Sequence, residues 1–160
     1  MYFWEYNYER ALDYAKLIHK NPVRSKNKIE KPSVLGAVID LGHCLDLLDS
    51  AYLNIVKEAY KLLEKSSKNA GFELPKNLSI ENEKDILIRK LDCAVIEAVH
   101  HYHREKNIVF DSVRNVFFEG DCLYENAGFR EKNHIQICVR NPNCIKGFFI
   151  PRNHIENWDE

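Results

Sequence analysis

Three groups of residues have types and spacings that could do chemistry. The first is His100, His101 and His103, the densest histidine cluster in the chain. His100 and His103 stand three apart and share a helix face, where a third ligand would complete a metal site. Histidines at a helix C-terminus are also favoured by the helix dipole, and no H-x-x-x-H with a carboxylate accompanies them, so no metal is expected. The second group is His134-Ile135-Gln136-Ile137-Cys138-Val139-Arg140, where polar and apolar residues alternate. Period two turns His134, Gln136 and Cys138 to one face of a strand. On a solvated edge that is unremarkable; over a cleft, His134 and Gln136 would set a donor and an acceptor side by side. The third group opens the chain, where six of the first fifteen residues are aromatic although aromatics make up 11% of the whole. Chain ends are usually polar and frayed, so Tyr2-Phe3-Trp4 reads as the inside of a fold.

Other chemistries lack their residues. There is no G-x-x-x-x-G-K-[ST], no G-x-G-x-x-G and no G-x-S-x-G, and six glycines leave little for a phosphate-cradling loop. The five cysteines (Cys44, Cys93, Cys122, Cys138, Cys144) form no close C-x-x-C pair. They read as reduced, partly buried thiols of a cytoplasmic protein, with burial raising the pKa values of Cys138 and Cys144.

Helical and strand periodicity place these groups. Asn7 caps a helix with Tyr8, Ala11, Leu12, Ala15 and Ile18 on one face, ended by Asn21-Pro22. An exposed loop with Arg24, Lys26, Lys28 and Lys31 follows. The apolar run from Ser33 to Leu41, bounded by Pro32 and Gly42, reads as a strand buried on both faces. Asp49 or Ser50 caps a second helix that buries Tyr52, Ile55, Val56, Ala59, Tyr60 and Leu63 and stops at Gly71. A third helix carries Ile86, Leu87, Leu91, Ala94, Val95, Ala98, Val99 and Tyr102 on one face. Ile108 to Phe118 favours strand, 120–132 is a loop containing Tyr124, Phe129 and Arg130, and Asn141-Pro142-Asn143 turns the chain into a last strand from Ile145 to Ile150.

Strands at both ends around a helical middle predict an α+β fold, and 160 residues fit a single domain spanning 1–160. A formal net charge of -1 gives no broad footprint for nucleic acid or anionic membrane. No apolar run reaches the ~18–20 residues that span a bilayer.

Taken together, the chain resembles the ADP-ribosyltransferase fold, in its poly(ADP-ribose) polymerase and diphtheria-toxin-like branch with a His-Tyr-Glu triad. Tyr2-Phe3-Trp4 followed by Glu9-Arg10-Ala11-Leu12-Asp13-Tyr14 is similar to the tyrosine strand and helix of that branch. Val34-Leu35-Gly36-Ala37-Val38-Ile39-Asp40-Leu41-Gly42 resembles its next strand. Asn133 to Arg140 with Ile145 to Phe149 resembles its glutamate strand and return strand. The resemblance covers about 50 to 60 positions in three blocks. It implies split antiparallel sheets with a helical middle. It implies NAD as the substrate cofactor, with Tyr2 and Tyr14 stacking on the nicotinamide ring and Phe129 and Arg130 beside it. It implies glycosyl transfer of a single ADP-ribose to a protein or nucleic-acid acceptor, with His134 or Gln136 at the position of the family glutamate. Neither can act as a carboxylate base, though either can hydrogen-bond a ribose hydroxyl. The family's H-G-T or H-G-S strand would precede Tyr2; its absence from this sequence implies a true start upstream of Met1 or a catalytically inactive nucleotide- or partner-binding module.

Overall fold

A computed structural model describes residues 1–20, 29–79, 85–86 and 88–152. The helix stop at Asn21-Pro22, the basic residues 24, 26 and 28, and Leu87 lie outside the described residues.

The chain is mixed α and β, and its centre is a four-stranded sheet. In spatial order this runs β1 (Tyr2–Trp4), β7 (His134–Val139), β6 (Ser112–Phe117) and β3 (Cys44–Asp46). Two further pairs are β2 (Gly36–Ile39) with β8 (Ile145–Phe149), and the short β4 (Asn77–Leu78) with β5 (Ile88–Arg89). The helices are α1 (Tyr8–Lys20), α2 (Ser50–Ala70) and α3 (Lys90–Arg104). β1, β7 and β6 are antiparallel neighbours, but β3 runs parallel to β6, which corrects the expectation of purely antiparallel sheets. A parallel pair needs a long crossover, and α2 and α3 supply it.

Local chemistry explains the helix ends. Asn7 Oδ1 accepts from the Arg10 amide at 3.0 Å to start α1. Asp49 Oδ1 accepts from the Ala51 amide at 2.7 Å to start α2, and Gly71, at φ +72°, closes it. α3 begins at Lys90, later than its apolar periodicity suggests. Ile86 precedes it and is exposed, because Ile88 and Arg89 are drawn into the pairing with β4.

Each face of the central sheet is covered. On one, Leu45 and Val113 pack with Ala59 of α2, Val95 and Val99 of α3, and Phe110, with Cys138 alongside. On the other, Phe3, Ile137 and Val139 meet Ile39, Leu41, Cys144 and Ile145 from the β2–β8 ribbon. That ribbon departs from expectation: Leu35 and Val38 are more than half exposed. With a single partner strand, β2 buries only one side, so an uninterrupted apolar run did not mean two covered faces. Tyr60 likewise leaves the buried stripe of α2 and donates its hydroxyl to Glu64.

Asp111 ties three segments together. Its carboxylate accepts from the His43 amide at 2.9 Å and from Asn141 Nδ2 at 2.8 Å. Its backbone amide donates to the His43 carbonyl, and its own carbonyl accepts from the Arg140 and Asn141 amides. These hydrogen bonds, Asn141 first, hold the Asp111 carboxyl below the usual carboxylate range. The approach is close because Gly42, at φ +58°, has no side chain; a Cβ there would meet Asp111 Oδ2 at 2.6 Å. Gly42→Ala is therefore expected to cost about 2–4 kcal/mol, combining backbone strain with a displaced carboxylate. Gly71→Ala, with a similar φ but open space around it, is expected to cost only about 1 kcal/mol. Urea denaturation of both variants checks this; equal costs would show that the contact with Asp111 carries no weight.

Candidate functional site

The register of β1, β7 and β6 assembles one strip of side chains. Opposite residues of an antiparallel pair share a face. Cys138 is paired with Tyr2 and Val113, Gln136 with Trp4 and Asn115, and His134 with Phe117. From Val113 and Cys138, under the helices, the strip runs outward through Asn115 and Gln136 to His134 and Phe117.

α1 follows β1 and lays Tyr14 against the outer end. The ring in contact with Tyr14 is Trp4, with centroids 5.1 Å apart and planes tilted by 45°. Trp4 also lies 6.5 Å from His134. His134 stacks on Phe117 at 5.5 Å with planes 11° apart, and the Arg89 guanidinium sits 4.7 Å from the Phe117 centroid. A cation over an aromatic face is attracted by the ring quadrupole, so Arg89 fixes that end of the strip to the start of α3.

His134 is 5% exposed, and both ring nitrogens are engaged. The Lys132 carbonyl, 2.6 Å from Nδ1, can only accept, so Nδ1 donates. Nε2 then accepts from the Gln136 side-chain nitrogen at 3.0 Å. The two polar residues expected to sit side by side do so, but they are bonded to each other.

The other expected site residues are spread around this strip. Tyr2 is two-thirds exposed and stands across from Cys138. Its hydroxyl pKa is raised, first by the Cys138 thiol beside it and then by burial, with Cys93 and Glu97 of α3 adding to the effect. Tyr14 thus contacts the Trp4 ring, whereas Tyr2 stands across from a cysteine. Phe129 is exposed in the loop before β7, where its carbonyl accepts from the Leu123 amide. Arg130 is paired with Asp85 at 3.4 Å.

Trp4, Phe117, Asn115 and Arg89 border or complete the strip and are not among the site residues expected from sequence, although Trp4 lies within the aromatic opening stretch. Trp4 could have been found, since it lies two residues from Tyr2 and so on the same face. The opposition of Phe117 to His134 depends on a register that no local pattern encodes. Three buried polar atoms border the same region without a protein partner among the described residues: Trp4 Nε1, Arg10 Nε and Asn133 Oδ1. Arg10 itself is held by Glu119 at 3.0 Å, with both side chains largely buried.

Elsewhere, a hollow of about 330 Å³ lies between α2 and α3, lined by Ile55, Ala59, Leu62 and Tyr102 among others. Another of about 350 Å³ lies beside the end of α2. All five cysteines are free thiols. Cys144 is buried, and burial pushes its thiol pKa up; Cys93 and Cys122 are exposed. Among the described residues, no helix is long and apolar enough to cross a membrane, and no group of three or more His, Cys, Asp or Glu residues is arranged to hold a metal ion.

In comparisons with models of protein families, with curated proteins and with solved structures, the chain matches none of them.

Because His134 is stacked, buried and hydrogen-bonded at both nitrogens, its first duty is to hold the loop end and the strip in place. His134→Ala is expected to lower unfolding free energy by about 2–4 kcal/mol, from the lost ring and the unpaired Lys132 carbonyl. Gln136→Leu, which removes one partly buried hydrogen bond, is expected to cost about 1 kcal/mol. Denaturant titration measures both; a cost below ~0.5 kcal/mol for His134→Ala would mean the imidazole is not a structural support.

Proposed function

We propose that this chain is an ADP-ribosyltransferase-like module that binds a nucleotide, NAD in the first instance, without cleaving it. The observation that carries this reading is the engagement of His134. At the position where the resemblance calls for a catalytic glutamate, both nitrogens of a buried imidazole are committed to Lys132 and Gln136. A group committed in this way is poorly suited to polarise an acceptor. What remains is a surface for a flat ring. Trp4 and Tyr14 give aromatic faces, exposed Tyr2 gives another, and the half-buried Asn115 gives an amide group on the same strip. Aromatic faces hold planar and cationic rings by stacking and cation–π attraction.

Mono-ADP-ribosyl transfer to a protein or nucleic-acid acceptor is the second reading. It is favoured by the placement of β1 beside β7 in one sheet, with α1 following β1 directly. On that reading the nicotinamide–ribose bond breaks through an oxocarbenium-like centre, with positioning and electrostatics doing most of the work.

Calorimetry of the full chain with NAD, paired with chromatographic detection of free nicotinamide, separates the two. The expected result is NAD binding that weakens about tenfold or more in Tyr14→Ala, a loss of ~1.4 kcal/mol or more from one stacking partner, with no nicotinamide release. Release above the buffer rate would favour transfer, and an absence of binding would remove both readings.

A further inference from the structure

Away from the strip, Phe110 is ringed by imidazoles. It is 3% exposed, and its centroid lies 4.5 Å from the His43 ring, 5.2 Å from His103 and 5.9 Å from His100, with Tyr52 of α2 edge-on at 6.0 Å. Two of the histidines are tethered. His43 Nδ1 donates to the Val109 carbonyl at 3.0 Å, and His103 Nδ1 to the Val99 carbonyl at 2.9 Å. His100 is the buried one, 5% exposed, and its Nε2 has no partner among the described residues.

The charges around His100 leave an imidazolium without an acceptor. Arg140, beyond β7, faces it, as do Arg104 and His103 on its own helix. The facing carboxylate is Glu97, and Arg140 already grips both its oxygens, at 2.6 and 3.5 Å. From the β2–β3 turn, His43 faces Phe110 with Asp111 on its backbone amide. From α2, Tyr52 meets Phe110, while Glu58 shares the hollow with His103 and Lys106. A proton added to His100 therefore sits in an apolar layer between cations, and the way to solvate it is to move it out.

We infer that the Phe110 layer is an acid-released latch: protonation of His100 frees the C-terminal turn of α3 and the segment up to Asp111 while the β6–β7 ladder stays paired. The elements that would let go are identifiable. The Ile108 amide donates to the His103 carbonyl at 2.9 Å and the Asp111 amide to the His43 carbonyl at 2.8 Å.

The sign follows from the direction of the shift. Burial first, then Arg140, pushes the His100 pKa down from 6.5 to about 4. An open form with an ordinary imidazole binds the proton first, so the closed form is fully favoured above about pH 6.5, weakens as pH falls, and loses no more below about pH 4. Between pH 7 and pH 5 the opening constant should rise about 20-fold.

Amide hydrogen exchange by NMR on the full chain, expressed as protection factors at pH 7 and pH 5, tests this. Protection of the Ile108 and Asp111 amides should fall about 20-fold while the β6–β7 amides hold theirs. His100→Leu, which removes the titrating group, should abolish the difference. Arg140→Gln provides a second arm that keeps the imidazole: it removes a facing cation and frees Glu97, so the pH-dependent fall should shrink below about 20-fold while burial maintains part of it. Unchanged protection at pH 5, an equal loss across the whole ladder, or an undiminished fall in either variant would overturn the latch.

Discussion

The pairing of Ser112–Phe117 with His134–Val139 is the constraint on which the rest of the molecule depends. Six consecutive residue pairs align these strands, and each borders an outer strand: β1 beside β7 and β3 beside β6. Side chains alternate, so a slip of one residue would send Ile137 and Val139 to the helical face and Gln136 and His134 to the ribbon face. Both cores would then hold polar groups without partners. Hydrophobic burial on two faces thus specifies the register, and the register alone determines that His134 meets Phe117 and that Gln136 meets Asn115.

Polar contacts then clamp the sheet at its margins. Arg114 of β6 reaches Glu5, just beyond β1, at 2.8 Å and Asp46 of β3 at 3.0 Å, linking both edges through one guanidinium. The carboxylate pairing raises the Arg114 pKa, Glu5 first, so the guanidinium stays charged at any ordinary pH. Asp111 does the corresponding work at the end of β6, where three chain segments converge on one carboxylate and its own backbone. These are short, hydrogen-bonded interactions in partly buried surroundings, where charge assistance is worth most.

Much of this was readable from residue spacing. Strict alternation from His134 to Arg140 identified a strand and its polar face, and Asp49 and Gly71 marked the ends of α2 with side-chain and backbone chemistry that acts locally. The errors lie where the deciding partner is distant in sequence. Val34–Ile39 is apolar throughout, yet how many sides are covered depends on having β8 as its sole neighbour. Ile86 continues the period of α3, but the β4–β5 pairing ends the helix before reaching it. The parallel placement of β3 beside β6 leaves no local trace. In the strip, Tyr2 and Tyr14 drew attention as residue types, whereas Trp4 supplies the contact with Tyr14 because strand pairing and helix docking put it there. The resemblance to ADP-ribosyltransferases rests on block order in the sequence alone.

The proposal of a nucleotide-binding role without catalysis rests on one contrast in the strip: Tyr2 and Tyr14 are exposed, while the His134 imidazole is committed at both nitrogens. The most direct measurement is a titration of NAD into uniformly ¹⁵N-labelled protein, followed through side-chain N–H resonances. The account predicts that the Trp4 indole and the Gln136 and Asn115 side-chain amides shift together and saturably, with the His134 ring keeping its hydrogen bonds to Lys132 and Gln136. Shifts confined to the α2–α3 hollow, or loss of those His134 hydrogen bonds when NAD is added, would contradict it.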